Sequence, residues 1–249
     1  MCRHLAYLGP PRALAEIVTD PPHSLYAQSY APRHQVGDDQ PALNADGFGV
    51  GWYPPHDRAG PVRYRRAVPI WADANFPGLS HLLRSGAVLA AVRSATPGNS
   101  LDESAAAPYA LGRWLFSLNG FVQRWESLPG DTGESLSASD LLSMEARTDA
   151  ALLWVMIARR LTAGTPAADA LAEVVGLTAA ARPGARLNLL LTDGEAIAAI
   201  RRGASLYYRR STGEVTVASE PTTDDPDWHE VPDQSLLLTT QHTAEIAPL

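Results

Sequence analysis

The sequence predicts an α+β protein built in layers on antiparallel sheets. Two observations carry this. Short strand-like segments crowd both halves of the chain at spacings too small for parallel crossovers. Between them, DAALLWVMIARRL at residues 149–161 reads as a helix apolar around most of its surface, which places it between other elements rather than on the outside.

The elements follow in order. Alternating or continuous apolar runs predict strands at residues 3–8, 47–53, 62–67, 88–93 and 114–118. Residues 187–192 and 197–201 meet across Asp193-Gly194, one of the better short hairpin signals, and further strands are predicted at 205–209, 215–218 and 235–239. Helical spacing marks 12–18, more weakly 79–84, and then 149–161 and 167–175. Asp149 opens the third of these helices, where a carboxylate can cap the end and favours the positive pole of the helix. PGDTGESLSASD at 129–140 reads as a long loop. GFGVGW at 47–52 is not a dinucleotide fingerprint, because no suitable strand precedes it and no helix follows.

With 249 residues and 45% hydrophobic content, the chain is expected to form one large domain over residues 2–249. No run of 18 apolar residues and no basic-then-apolar leader is present, so the expected location is the cytoplasm and no membrane partner is expected. The formal charge is -7, and all 20 basic residues are arginine. That balance argues against nucleic acid as a partner, and the lack of lysine removes Schiff-base and lysine-base chemistry.

The sole cysteine stands at position 2, so it forms no internal disulfide and no multi-thiolate site. If Met1 is removed, the α-amino group of Cys2, with a reference pKa of roughly 7.7 to 8.0, is a base beside its own thiol. The residues alone leave Cys2 as either a small apolar strand residue or a nucleophile. His4 should lie on the same strand face as Cys2. His4, His23, His34, His56, His81, His229 and His242 show no compact metal-ligand spacing, so no metal is expected.

Five stretches carry a family resemblance: MCRHLAYLG, NADGFGVGWY, AVRSATPG, LFSLNG and RTDAALLW, in this order and approximate spacing. The chain resembles the class II glutamine amidotransferases, which are N-terminal-nucleophile hydrolases, and VASEP at 217–221 extends the likeness. The resemblance implies a four-layer αββα sandwich with two antiparallel sheets and no cofactor. It implies that Cys2 attacks a γ-glutamyl amide to form a thioester, with the Asn119 side chain and the Gly120 N–H as oxyanion donors. It further implies that Arg93 grips the substrate α-carboxylate, with Thr96 adding a hydroxyl, and that Asp149 binds the α-ammonium. Asn44, Asp46 and Gly47 would shape the site. Many relatives carry histidine before the Asn-Gly pair, where this chain has Leu118.

PPHSLYAQSYAPR and RYRRAVPIWADANF, together with AVRSAT, resemble the stand-alone amidohydrolases of ergothioneine biosynthesis. Those enzymes remove glutamate from γ-glutamyl-hercynylcysteine sulfoxide, so a small-molecule γ-glutamyl substrate and no obligate protein partner are implied. The alternatives are a glutaminase subunit donating ammonia to a separate synthase, and a non-catalytic γ-glutamyl-binding module. A quaternary ammonium on the leaving group would favour aromatic faces and carboxylates, which makes Trp52, Tyr53, Trp71 and Asp73 candidates for contacting it.

Overall fold

The computed structural model describes residues 2–34, 43–55 and 60–249. In chain order the elements are β1 (Arg3–Ala13), α1 (Leu14–Val18), α2 (Leu25–Gln28), β2 (Phe48–Trp52), β3 (Val62–Arg66), α3 (Phe76–Leu82), β4 (Arg84–Val92), β5 (Tyr109–Leu111) and β6 (Trp114–Phe121). There follow α4 (Leu128–Thr132), α5 (Ala138–Leu142), α6 (Asp149–Thr162), α7 (Ala167–Ala181), β7 (Arg186–Thr192), β8 (Ile197–Arg201), β9 (Tyr207–Ser211), β10 (Glu214–Ala218), β11 (Trp228–Glu230), β12 (Ser235–Thr239) and β13 (Ala244–Pro248).

The strands form two antiparallel sheets, ordered β11-β9-β10-β1-β4-β2-β3 and β13-β12-β8-β7-β6-β5. Strand alternation sends one face of each sheet inward, and Ala6, Leu8, Leu89, Leu115, Leu190 and Val217 join there in a common apolar layer. The outer face of the first sheet packs Leu5, Tyr7, Val50 and Val88 against α1, α2 and α3 through Leu14, Ile17, Leu25 and Phe76. The outer face of the second sheet packs Phe116, Leu189 and Ile200 against α6 and α7, with Phe116 stacked on Trp154 at 5.3 Å. The result is the expected αββα sandwich of an α+β protein.

The helix at 149–161 packs beside α7 on the outer face of the second sheet, with nine of its residues buried, as its nearly all-round apolar surface requires. Its N-cap is Thr148, whose side chain accepts the Ala151 N–H; Asp149 is the next residue in, so the capping duty assigned to it belongs to its neighbour. The stretch at 129–140 is not one loop. Pro129 opens the first turn of α4, and Ser137 with Asp140 forms a capping box on α5. β1 runs five residues beyond the predicted end, its register with β4 shifting between Leu8 and Arg12. β4 starts at Arg84, inside the weak helical pattern, and α3 ends before it at Leu82.

Two features set the geometry at the N-terminal end of β1. Gly120 on β6 lies opposite Leu187, and a Cβ there would meet the Arg186 carbonyl oxygen inside any allowed contact distance. His4, fully buried between the sheets, bonds through Nδ1 to Ser117 Oγ at 3.2 Å. Burial first and the nearby Arg3 charge second hold its pKa down at about 3, so the ring is neutral in the folded chain.

Two predictions follow from this packing. Gly120→Ala should lower unfolding free energy by about 1–3 kcal/mol, read as a shifted urea midpoint, since the strand pair must separate to admit the methyl group. For His4, the unfolded ring takes up a proton below its ordinary pKa of 6.5 while the folded one does so only near 3. Its contribution to stability is therefore fully present above pH 6.5 and is lost as pH falls through that window, at about 1.4 kcal/mol per pH unit. Urea titrations of wild type and His4→Gln from pH 7.5 to 5 should converge in stability; a gap independent of pH would contradict the neutral assignment.

Candidate active site

β1 lies between β10 and β4, with Arg3 opposite Val92, so Cys2 and Arg93 are the next residues at one end of that strand pair. Both line one cleft, together with Thr96, Asn99, Gly120 and Asp149. Cys2 is half-buried, and its thiol points to the Ser94 carbonyl oxygen at 3.6 Å.

The backbone of Cys2 is clamped from the outer face of the first sheet. The Arg3 guanidinium donates to the Cys2 carbonyl at 3.0 Å, while its Nε lies 2.8 Å from Glu220 in an ion pair with both side chains almost wholly buried. Glu220 also accepts the Arg33 N–H at 2.8 Å. A buried pair of this kind needs such extra bonds to offset desolvation, and here they fix the chain immediately after the cysteine.

Arg93 ends the apolar run VLAAV and is 8% exposed. Its Nη2 donates to the Ser100 carbonyl at 2.7 Å, while Nη1 is buried and has no partner among the described residues. A buried cation with an open donor is suited to a carboxylate, which could take both prongs of the fork. Across the cleft, Asp149 accepts N–H groups of Val122 at 3.0 Å and Ala150 at 2.9 Å, and Asn99 approaches it at 3.5 Å. Burial nevertheless holds its carboxyl above the usual range, against those backbone bonds and the Arg93 charge. A cation bound beside it would relieve that cost.

The predicted shaping residues support the Arg93 strand end. Asp46 N–H donates to the Arg93 carbonyl at 2.9 Å, Arg93 N–H to the Gly47 carbonyl at 2.8 Å, and the Asp46 carboxylate accepts Ala95 N–H at 2.7 Å. Gly47 has φ of +128°, a conformation that favours glycine, and a Cβ there would press on the Arg66 carbonyl. Asn44 is buried, and donates to the Gln28 carbonyl at 3.2 Å.

Asn119 lies on the inter-sheet face of β6 between Leu118 and Gly120, both of which line the cleft. Its Nδ2 donates to Ser219 Oγ at 3.1 Å, and its Oδ1 is buried without a partner among the described residues. Leu118 points the opposite way, into the apolar cluster under α6, so its side chain offers no polar contact.

The four leaving-group candidates are not brought to this cleft. Phe48 pairs with Val92 at the cysteine end, whereas Trp52 pairs with Val88 at the other end of β2, roughly 13 Å along at about 3.3 Å per residue. The Tyr53 hydroxyl is bound to the Arg113 and Thr192 carbonyls at 2.8 and 2.9 Å. Trp71 is 37% exposed and packs edge-on against Tyr30. Asp73 accepts the Tyr64 hydroxyl at 2.7 Å and the N–H groups of Asn75 and Phe76, so its carboxylate serves the start of α3. Two further polar residues stand near the site, signalled in the sequence only by the TPGN and VASEP stretches: Asn99, which joins Asp149 to Trp125 Nε1, and Ser219, which is bonded to Asn119.

Among the described residues no group of three or more His, Cys, Asp or Glu is placed to hold a metal, and no helix is long and apolar enough to cross a membrane. Met1 and His56 lie outside the described residues.

Comparison with known proteins agrees with this geometry. No family model matches the chain. It is 39% identical over 249 residues to the γ-glutamyl-hercynylcysteine sulfoxide hydrolase of Mycolicibacterium smegmatis, covering 100% of both chains. It is also 39% identical over 249 residues to the protein of the same name from Mycobacterium tuberculosis, covering 100% of this chain and 97% of that one. Among solved structures, a glutamine aminotransferase class-II domain protein from Silicibacter pomeroyi superposes with a TM-score of 0.69 at 25% identity, covering 99% of each chain. With a lone cysteine at the mouth of an αββα sandwich and relatives matched from end to end, the chain belongs to the γ-glutamyl-hercynylcysteine sulfoxide hydrolase family, within the class II glutamine amidotransferase fold.

Proposed function

We propose that this protein hydrolyses the γ-glutamyl amide of γ-glutamyl-hercynylcysteine sulfoxide in the cytoplasm, through a thioester on Cys2, releasing glutamate and hercynylcysteine sulfoxide. The observation that carries the reading is that Cys2 shares one cleft with the open donor of buried Arg93 and the burial-strained carboxyl of Asp149. The full-length likeness to hydrolases of that name supports the choice of substrate.

In this reading Arg93 takes the α-carboxylate, helped by the Thr96 hydroxyl, and Asp149 takes the α-ammonium. Two charged anchors at one end of the substrate fix the γ-carbonyl beside the thiol, which supplies the orientation part of catalysis. Removal of Met1 frees the Cys2 amine, which accepts the thiol proton as Sγ attacks the carbonyl carbon. The carbonyl oxygen becomes an oxyanion held by Asn119 and the Gly120 N–H. Collapse breaks the C–N bond, and the leaving amine takes the proton back from the Cys2 ammonium. Water then adds to the thioester with the amine as base, the C–S bond breaks, and glutamate leaves. His4 is no rival base, because its buried ring is held too weakly basic and is bonded to Ser117.

The direct test measures glutamate release from γ-glutamyl-hercynylcysteine sulfoxide and from glutamine by wild type and Cys2→Ala, with mass spectrometry of the N-terminus. Release by the wild type alone, from the conjugate and with Met1 absent, is expected. Equal release by both proteins rejects Cys2 catalysis, and turnover of glutamine only points to ammonia donation. Arg93→Lys keeps the charge but loses the fork; it should raise KM about 10- to 150-fold, matching a lost charge-assisted hydrogen bond of about 1.5–3 kcal/mol. A substrate analogue lacking the α-carboxylate should show little change, and an equal rise for both would remove Arg93 from that role.

A further inference from the structure

Ser219 follows β10 and is fully buried between the sheets. Its Oγ accepts the His4 main-chain N–H at 3.0 Å and lies 3.1 Å from Asn119 Nδ2. The Ser219 main chain is fixed as well, its N–H donating to the His4 carbonyl at 3.0 Å and its carbonyl accepting the Ser205 hydroxyl at 2.8 Å. A main-chain N–H can only donate, so one lone pair of the Ser219 hydroxyl is committed to His4 while its proton remains available.

The Asn119 carboxamide has two settings related by a half-turn of its terminal torsion. In the observed one, Nδ2 is occupied by Ser219 and Oδ1 is buried with no partner among the described residues. A buried acceptor left open costs stability, and in the oxyanion role proposed above the amide has to present its nitrogen rather than its oxygen. In the other setting the Ser219 O–H donates to Oδ1, and both hydrogens of Nδ2 are released. Hydroxyl groups serve as donor or acceptor with equal ease, so serine permits both settings, with the His4 N–H bond unchanged.

We infer that Ser219 is a positioning residue for the hydrolysis: its hydroxyl switches from acceptor to donor and holds the Asn119 amide with its nitrogen turned to the oxyanion. The inference rests on the oxyanion role proposed above for Asn119. It assigns the serine of VASEP a task distinct from that of Glu220 beside it, which faces the other side of the sheet and pairs with Arg3.

The test is a double-mutant cycle between Ser219→Ala and Asn119→Ala, using whichever γ-glutamyl amide the wild type hydrolyses through Cys2. The substrate assignment is then judged on the wild type and the inference on the variants. A lost oxyanion donor typically costs about 10²- to 10³-fold in kcat, so loss of its support by Ser219→Ala should cost about 10- to 100-fold, with KM changing less than about threefold. In the Asn119→Ala background the same change should cost no more than about twofold, because the residues act as a unit. Affinity for glutamate γ-semialdehyde, which forms a tetrahedral adduct with the thiol, should fall in step with kcat while affinity for glutamate holds. Should Ser219→Ala fail to fold, Ser219→Cys keeps the volume with a weak S–H donor and should lower kcat in the same direction. Additive losses in the cycle, wild-type kcat in a folded Ser219 variant, or parallel losses of glutamate and aldehyde binding would each overturn the inference.

Discussion

The pairing of β1 between β4 and β10 is the constraint on which the other features depend. One register, Arg3 opposite Val92, sets the cysteine beside the arginine that ends the next strand. The same strand alternation sends Arg3 to the outer face, where Glu220 waits, and His4 to the inner one. A slip of one residue would exchange the two faces and bury an arginine between the sheets, which is prohibitive without a partner. The buried Arg3–Glu220 pair therefore does more for register than for net stability, since pairs of this type return little against apolar replacements.

Around that strand end the molecule keeps several polar groups incompletely matched. Arg93 has an open donor, Asp149 a carboxyl lifted by burial, and Asn119 an open acceptor. The layers behind that strand end hold apolar, closely packed clusters, as in the stack of Phe116 on Trp154 and the cluster joining Leu115, Leu190 and Val217. Arg93 and Asp149 bring two of the unmatched polar groups to the same cleft, which is the pattern expected of a binding site.

Much of this was legible in the chain itself. The VLAAV run ending at Arg93, the Asp-Gly hairpin and the apolar helix after Thr148 are strong because length, period and punctuation agree. The short elements were not: β5, β11 and β13 are three to five residues each, and α4 and α5 lie in a stretch rich in Gly, Ser and Asp that reads as loop. That Cys2, Arg93 and Gly120 line one cleft was legible because each stands at or near a strand end. Trp52 and Tyr53 lie away from that cleft, because proximity in sequence to Gly47 does not survive five or six residues of largely extended chain. VASEP drew attention to Ser219 but not to its partner, because the contact is with Asn119, 100 residues away.

The separation of Arg93 from Asp149 has a consequence for selectivity. Each is left wanting a charge of opposite sign, and neither satisfies the other within the cleft. If both serve as the proposed anchors, only a zwitterion meets both demands at once, since a carboxylate alone or an amine alone answers one of them. In the proposed reading the cleft thus screens its visitors by charge pattern before any bond is broken.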